Sequence, residues 1–424
     1  MSPERLKILF VSQMPASPPR FGAQARIHGL MTDLAQRHEL TAVMLLDDEF
    51  DADECRQAMQ AYCHEVVLVP NPNGGEGLSK RLLQLRSVAS TTSYERLRVT
   101  VPALQRELDR VLRAKRFDIV NLEFPFLAHC NLRQAPAGEQ PPRVVVDSHN
   151  VEYDLARQYA RGSKSLERRL YYGANWRKLQ REELRAYREA DGLCLCSAAD
   201  QQRVAGDVGG VRTVVIPNAA DTSFYQPRQE DPSPDGRTIV FFGLLSYVPN
   251  IDGVIHFVER IWPRIAAAHP DARFKVIGGR PPQSLLALAG PRIEFTGFVP
   301  DLRPHLAEAA AVVVPLRLGG GTRLKIVEAA AMGKAIVSTT LGAEGIEAVP
   351  GRDLFLADEP EAFADTVNRL LDDQTLTARV GQSARALAIQ RYSWSGAARA
   401  LETLYRTVLD GEADRASQSR EAAE

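Results

Sequence analysis

One unit recurs along this chain: a nearly uninterrupted run of β-branched and apolar residues, a turn rich in Gly, Pro, Asp or Asn, then an amphipathic helix. LKILFVS (6–12) opens the series, and QARIHGLMTDLAQR (24–37) follows, with Ile27, Leu30, Met31 and Leu34 at the spacing of a one-faced helix. LTAVMLL (40–46), EVVLVP (65–70), FDIVNLE (117–123), RVVVDS (143–148) and GLCLCS (192–197) continue it. Strands that are apolar on both faces and separated by helices require a parallel sheet covered on both sides. The series breaks at the polar, proline-rich QPRQEDPSPDGR (226–237). It restarts with TIVFFG (238–243), RFKVIGG (273–279), RIEFTGF (292–298), AAVVVPL (310–316) and KAIVST (334–339). At 424 residues the chain exceeds what one core supports. The expected fold is α/β, with two doubly wound Rossmann-like domains, 1–220 and 221–385, facing a cleft. Residues 386–424 are expected to form a helix that crosses back to the first domain and a polar tail. Ligands of such a pair bind where strand ends face the cleft.

The net charge of −1 gives no global attraction to nucleic acid, and no recognition motif supports such a partner. Charge is nonetheless uneven. Residues 80–116 hold ten Lys/Arg against three acids, and 157–190 hold ten against four. In the second segment Arg168, Arg169, Arg177, Lys178, Arg181 and Arg185 alternate with Tyr171, Tyr172 and Trp176. That mixture suits solvated helix faces, or else an anionic membrane surface or an anionic lipid-linked acceptor. The first apolar run is too short and too early for a signal peptide, and no run is long enough to span a bilayer. Five cysteines without a C-x-x-C pair fit a reducing cytoplasm and predict no metal site. The expected location is therefore cytoplasmic, with the inner membrane face as a peripheral option.

LGGGTRLKIVEAAAMGKAIVST (318–339) is the stretch richest in chemistry. Gly319, Gly320 and Gly321 let backbone approach a ligand, and the helix that follows, with Thr322 as expected N-cap, presents unpaired N–H groups suited to a diphosphate. Arg323 and Lys325 add formal charge. The spacing is neither that of a P-loop nor that of a dinucleotide fingerprint. Glu328 stands in an otherwise apolar helix, where a carboxylate needs a partner. Lys325, one turn earlier, is one candidate. Sugar hydroxyls are the other.

GFVPDLRPHLAEAAAVVVPLRLGGGTRLKIVEAAAMGKAIVSTTLGAEGI resembles the donor-binding half of glycosyltransferase family 4, the group 1 enzymes of GT-B fold. PPRFGAQARIHGLMTDLAQRHEL, DSHNVEYDLARQY, IPNAADTSFYQP and FFGLLSYVPNIDG fall in that family's order. The resemblance implies sugar transfer from a UDP- or GDP-sugar to a glycan or lipid-linked acceptor, with retention and without metal or another cofactor. It implies that Glu328 holds the ribose as the second glutamate of Glu-x7-Glu, whereas the first falls on Gly320. It places the nucleobase against Phe298 and Val299, which otherwise read as a strand end packing into a core. It also implies donor contacts at Gly243, Asn250 and Gly22, and a catalytic role for His149, with Asp147 orienting it or capping the next helix. The family's Arg-and-Lys pair falls on Leu244 and Pro249, which passes phosphate charge to Arg323 and Lys325. Asn218 and Asp221 read as hinge geometry. Two alternatives share these features: a sugar-nucleotide epimerase, and a non-catalytic nucleotide-sugar-binding protein.

Overall fold

The computed structural model describes residues 4–75, 77–162, 166–228 and 236–421. Most of the proline-rich break expected as a linker, residues 229–235, lies outside them. The chain divides into two compact units, Met1–Ile216 with Ala397–Glu424, and Pro217–Gly396. The first boundary, expected after residue 220, falls at Ile216. The second, expected after 385, falls at Gly396, because Ala388 and Tyr392 belong to the second unit's core.

The first unit holds a seven-stranded parallel sheet: β1 (Lys7–Ser12), β2 (Glu39–Leu46), β3 (Glu65–Pro70), β4 (Ile119–Glu123), β5 (Arg143–Ser148), β6 (Gly192–Leu195) and β7 (Arg212–Val215). Their spatial order is β3-β2-β1-β4-β5-β6-β7. The order reverses direction between β1 and β4, which opens a crevice beyond their carboxyl ends. β4 and β6 are buried along their whole length, β6 as its apolar run demands and β4 despite the polar Asn121 and Glu123. The C-terminal helix Trp394–Glu421 joins this unit from Ala397 onward. Tyr405 is fully buried and donates to Asn121 Oδ1 on β4 at 2.8 Å, and a Cβ at Gly192 would meet Leu404 and Val408 at 3.1–3.3 Å.

The second unit repeats the plan with six parallel strands, β8 (Thr238–Phe242), β9 (Arg273–Ile277), β10 (Ile293–Gly297), β11 (Ala311–Val314), β12 (Ile336–Ser338) and β13 (Phe355–Leu356). The order is β10-β9-β8-β11-β12-β13, so its switch point lies between β8 and β11. All five cysteines are buried free thiols. Among the described residues no helix is long and apolar enough to cross a membrane.

Candidate active site

The second unit gathers its expected donor residues beyond the carboxyl ends of β8, β10 and β11. β8 ends in Gly243, whose φ of 144° favours glycine, and a Cβ there would sit 3.0 Å from Asn250 Nδ2 and 3.1 Å from Lys325 Nζ. Asn250, in the helix Val248–His256, donates to Leu244 O at 2.8 Å and accepts from Lys325 Nζ at 2.7 Å. Lys325 is buried, with Nζ 4.0 Å from the centre of the Phe241 ring. Burial, together with the nearby Arg323 guanidinium, pushes the Lys325 pKa well below its ordinary value. Gly243, Asn250 and Lys325 thus form one cluster beside the switch point.

The glycine loop 319–321 leads from β11 into the helix Leu324–Ala331, which starts one residue later than expected. Arg323, not Thr322, is the N-cap, in extended backbone with no side-chain cap, and Arg323 Nη1 donates to Gly321 O at 2.9 Å. Thr322 instead offers its carbonyl to Asn218 Nδ2 at 2.7 Å, so Asn218 braces the loop. Gly319 and Gly321 have φ of 125° and 70°, and a Cβ at Gly319 would meet the Arg323 guanidinium at 2.9 Å. Gly320 does not share the positive φ of its two neighbours.

Glu328 does not pair with Lys325 by hydrogen bond. The Tyr225 hydroxyl donates to it instead, and burial raises the Glu328 pKa to about 7 against that bond and the Lys325 charge. Tyr225 lies more than a hundred residues away in sequence, so no local spacing identifies it as the partner. Phe298, just past β10, is 61% exposed, which removes the core-packing reading for it. Val299 beside it is half-buried against the core.

In the first unit Gly22 starts the helix Gly22–Leu34, behind Phe21 as an uncapped, extended N-cap. One turn on, Arg26 crosses to the end of β5. Its Nε and Nη2 donate to Asp147 Oδ2 and Oδ1 at 3.0 and 2.8 Å, and Nη1 donates to Ile216 O at 2.9 Å. Both partners are almost completely buried. Asp147 therefore neither orients His149 by hydrogen bond nor caps the next helix. Glu183 caps it, accepting from the N–H groups of Glu152 and Tyr153 at 3.0 and 2.9 Å.

His149 follows β5 directly and is held by Glu123 at the end of β4, Nε2 to Oε2 at 2.7 Å. Glu123 Oε1 accepts from Asn121 Nδ2 at 2.8 Å. Phe124, at φ 71°, occupies a region that costs a bulky residue roughly 1–3 kcal/mol, and its ring lies 4.1 Å from the imidazole. Burial pushes the His149 pKa down to about 3, with Asp147 opposing, and pushes Glu123 well above the carboxylate range, with Asp147 reinforcing. His149 Nδ1 is buried and has no partner among the described residues. Glu123, Asp147 and His149 each bring a potential ligand atom within 4.8 Å of the others. Both Asp147 oxygens already accept from Arg26, however, and His149 Nε2 faces Glu123. A divalent ion here would sit against a guanidinium, so the donor set fits a proton-sharing pair beside an ion pair better than a metal centre.

Glu183 gives a first testable consequence. Burial raises its pKa to about 8 despite the Tyr187 hydroxyl bond. A folded pKa above the unfolded carboxylate value means a stabilising contribution that is complete below about pH 4.3 and lost as pH rises through about 8. The difference in Tm between the wild type and Glu183→Gln is expected to shift against the wild type from pH 6 to 9. A constant difference across that range refutes the assignment.

Residues 22–224 match the family model described as Glycosyltransferase Family 4, and residues 236–373 match that of Glycosyl transferases group 1. The chain is 30% identical over 219 residues to the phosphatidylinositol N-acetylglucosaminyltransferase gpi3 subunit of Schizosaccharomyces pombe, covering 46% of this chain and 44% of that one. It is 22% identical over 367 residues to one subunit of the Arabidopsis thaliana phosphatidylinositol N-acetylglucosaminyltransferase, covering 82% and 75%. The chain thus spans less than half of the yeast relative. In fold it is similar to sucrose-phosphate synthase of Thermosynechococcus elongatus (TM-score 0.74, 15% identity, 96% and 100% coverage). It is also similar to Anabaena HepE solved with UDP-glucose (TM-score 0.64, 16% identity, 97% and 100% coverage). With both halves matched in order and two switch-point sites in a GT-B fold, the chain belongs to the group 1 glycosyltransferases of family 4.

Proposed function

We propose that the chain transfers a sugar from a UDP-sugar to a lipid-linked acceptor, with GDP-sugar and soluble glycan as the other members of each class. The cluster of Lys325, Asn250 and Gly243 beside the glycine loop carries this reading. No carboxylate among the described residues forms an ion pair with Lys325, and Arg323 repels it, so a bound diphosphate supplies the missing anion. Glu328 takes the ribose hydroxyls, and the exposed Phe298 offers a face to the base. The UDP-glucose complex of HepE and the phosphatidylinositol-directed relatives favour these choices within each class. The acceptor hydroxyl adds to the anomeric carbon on the face from which the diphosphate leaves, and its proton passes to the leaving phosphate oxygen. Retention and independence of metal belong to this proposal, with Arg323, Lys325 and the helix start meeting the charge of the leaving group. The first unit contributes His149 and, through 157–190, contact with an anionic surface.

UDP release from a panel of UDP-sugars, with and without a phosphatidylinositol-containing lipid extract, tests the reading. Acceptor-dependent release supports it. Ligand binding without release favours a non-catalytic sugar-nucleotide-binding protein, the alternative that Gly320 in place of a glutamate supports. Interconversion of the sugar without acceptor favours an epimerase.

A further inference from the structure

The helix Leu78–Val88 turns its apolar residues outward. Only Leu83 and Ser87 are buried, while Leu78, Leu82, Leu85 and Val88 are 77, 67, 66 and 55% exposed. Spacings of four, three and three place these four on one stripe. Single exposed leucines are ordinary, but an aligned set marks a surface that something covers. The helix Leu166–Glu189 extends it with Leu166 and Leu170, 71 and 66% exposed. The two helices run side by side in the same direction. Gln84 lies beside the Tyr171 hydroxyl, Ser87 Oγ donates to Asn175 Oδ1 at 3.4 Å, and Lys178 Nζ donates to Ser87 O at 2.5 Å. Leu78 and Leu82 are therefore level with the 166–170 turn.

The charge around the stripe is mostly positive, with Glu76 and Glu167 the acids beside it in sequence. Leu78–Val88 contains Lys80, Arg81 and Arg86 and no acid, and Arg161 and Arg169 are exposed nearby in sequence to Leu166. By contrast, the basic run expected to meet a membrane is partly engaged within the fold. Lys178 and Arg181 donate to the carbonyls of Ser87 and Thr91, Arg185 pairs with Glu189, and Arg157 and Arg177 flank the Trp176 ring. The Arg168 side chain lies outside the described residues.

We propose that Leu78, Leu82, Leu85 and Val88, continued by Leu166 and Leu170, form the face by which the protein seats itself on an anionic bilayer, the helix lying in the interface with its leucines among the acyl chains. A helix of 11 residues, about 16 Å long, is too short to span a bilayer but suits this placement. A second copy is the poorer occupant. A two-fold contact through this stripe sets the patch against itself, bringing Lys80, Arg81 and Arg86 towards their own equivalents. An anionic leaflet complements both the leucines and the cations. This deepens the lipid-linked acceptor reading but is measured apart from it.

The full chain is mixed with vesicles of phosphatidylcholine alone or with 30 mol% phosphatidylglycerol and sedimented at low and high salt. Binding is expected to the anionic vesicles, weakened but not abolished by salt because the leucines contribute. Leu82→Glu with Leu85→Glu is expected to lower partitioning at least tenfold, and Arg81→Glu with Arg86→Glu to remove the preference for phosphatidylglycerol. The Kd for UDP, measured alongside, is expected to be unchanged in both variants. Loss of UDP binding in the wild type itself overturns the donor reading and leaves this one standing. Absence of vesicle binding, or equal binding by the leucine variant, overturns the proposal. So does a dimer in light scattering that dissociates in that variant, which assigns the face to a second copy.

Discussion

Glu328→Ala is expected to weaken the Kd for a UDP-sugar by roughly 10²–10⁴-fold. A carboxylate accepting two ribose hydroxyls makes two charge-assisted hydrogen bonds, each worth about 1.5–3 kcal/mol, and every 1.4 kcal/mol is a factor of ten. The geometry around Glu328 adds to the expectation. Burial lifts its pKa to about 7, and the Tyr225 hydroxyl occupies one part of its acceptor capacity. The carboxylate is thus held at a cost by the fold and not neutralised by a bonded cation, the arrangement of a group that completes its hydrogen bonding with a ligand. Glu328→Gln keeps one acceptor oxygen and should lose less, about tenfold. Titration calorimetry with UDP-sugar measures both, and circular dichroism shows whether the alanine variant keeps its fold with Tyr225 left without its acceptor. A folded Glu328→Ala protein with wild-type donor affinity refutes the ribose role.

The contrast between what the sequence disclosed and what it concealed follows from the range of the interactions. Gly319–Gly321, Lys325 and Glu328 are legible because loop, cap and helix lie within one short stretch, and His149 because an apolar run predicts where its strand ends. The partners of these residues are not local. Arg26 reads as a polar residue on a one-faced helix, and nothing within a helical turn reveals that it meets Asp147, 121 positions away. Tyr225 falls beside the proline-rich break, where an aromatic residue reads as incidental. Glu123 did leave a trace: Asn121 and Glu123 interrupt the apolar run FDIVNLE, and polar residues at buried strand positions need partners. Their partners prove to be Tyr405 and His149. The helix Leu78–Val88 shows the converse limit. In sequence it stands out by its cations, and periodicity alone does not tell whether an apolar side faces a core or a bilayer.

His149→Ala is expected to lower kcat by roughly 10²–10³-fold, the contribution of a positioned proton-handling or charge-stabilising group, and Glu123 decides how that imidazole is presented. With Glu123 raised and His149 lowered in pKa, burial favours a protonated carboxyl facing a neutral ring. Glu123 then donates to Nε2 across the 2.7 Å contact, and the ring proton lies on Nδ1, the buried nitrogen without a partner among the described residues. Glu123→Gln tests this directly. The glutamine carbonyl can accept from Asn121 and its amide can donate to Nε2, so the tautomer is kept and kcat is expected to stay within a few-fold of wild type. Glu123→Leu removes the donor, frees the ring to change tautomer, and should lose most of what His149→Ala loses. The opposite charge state, an ionised Glu123 accepting from Nε2–H, predicts the reverse for glutamine: the amide forces the proton to the other nitrogen and activity collapses. Steady-state kcat and KM for these three variants therefore separate the two protonation states. A His149→Ala enzyme of undiminished kcat removes the residue from the chemistry altogether, leaving the pair a structural tie between β4 and β5.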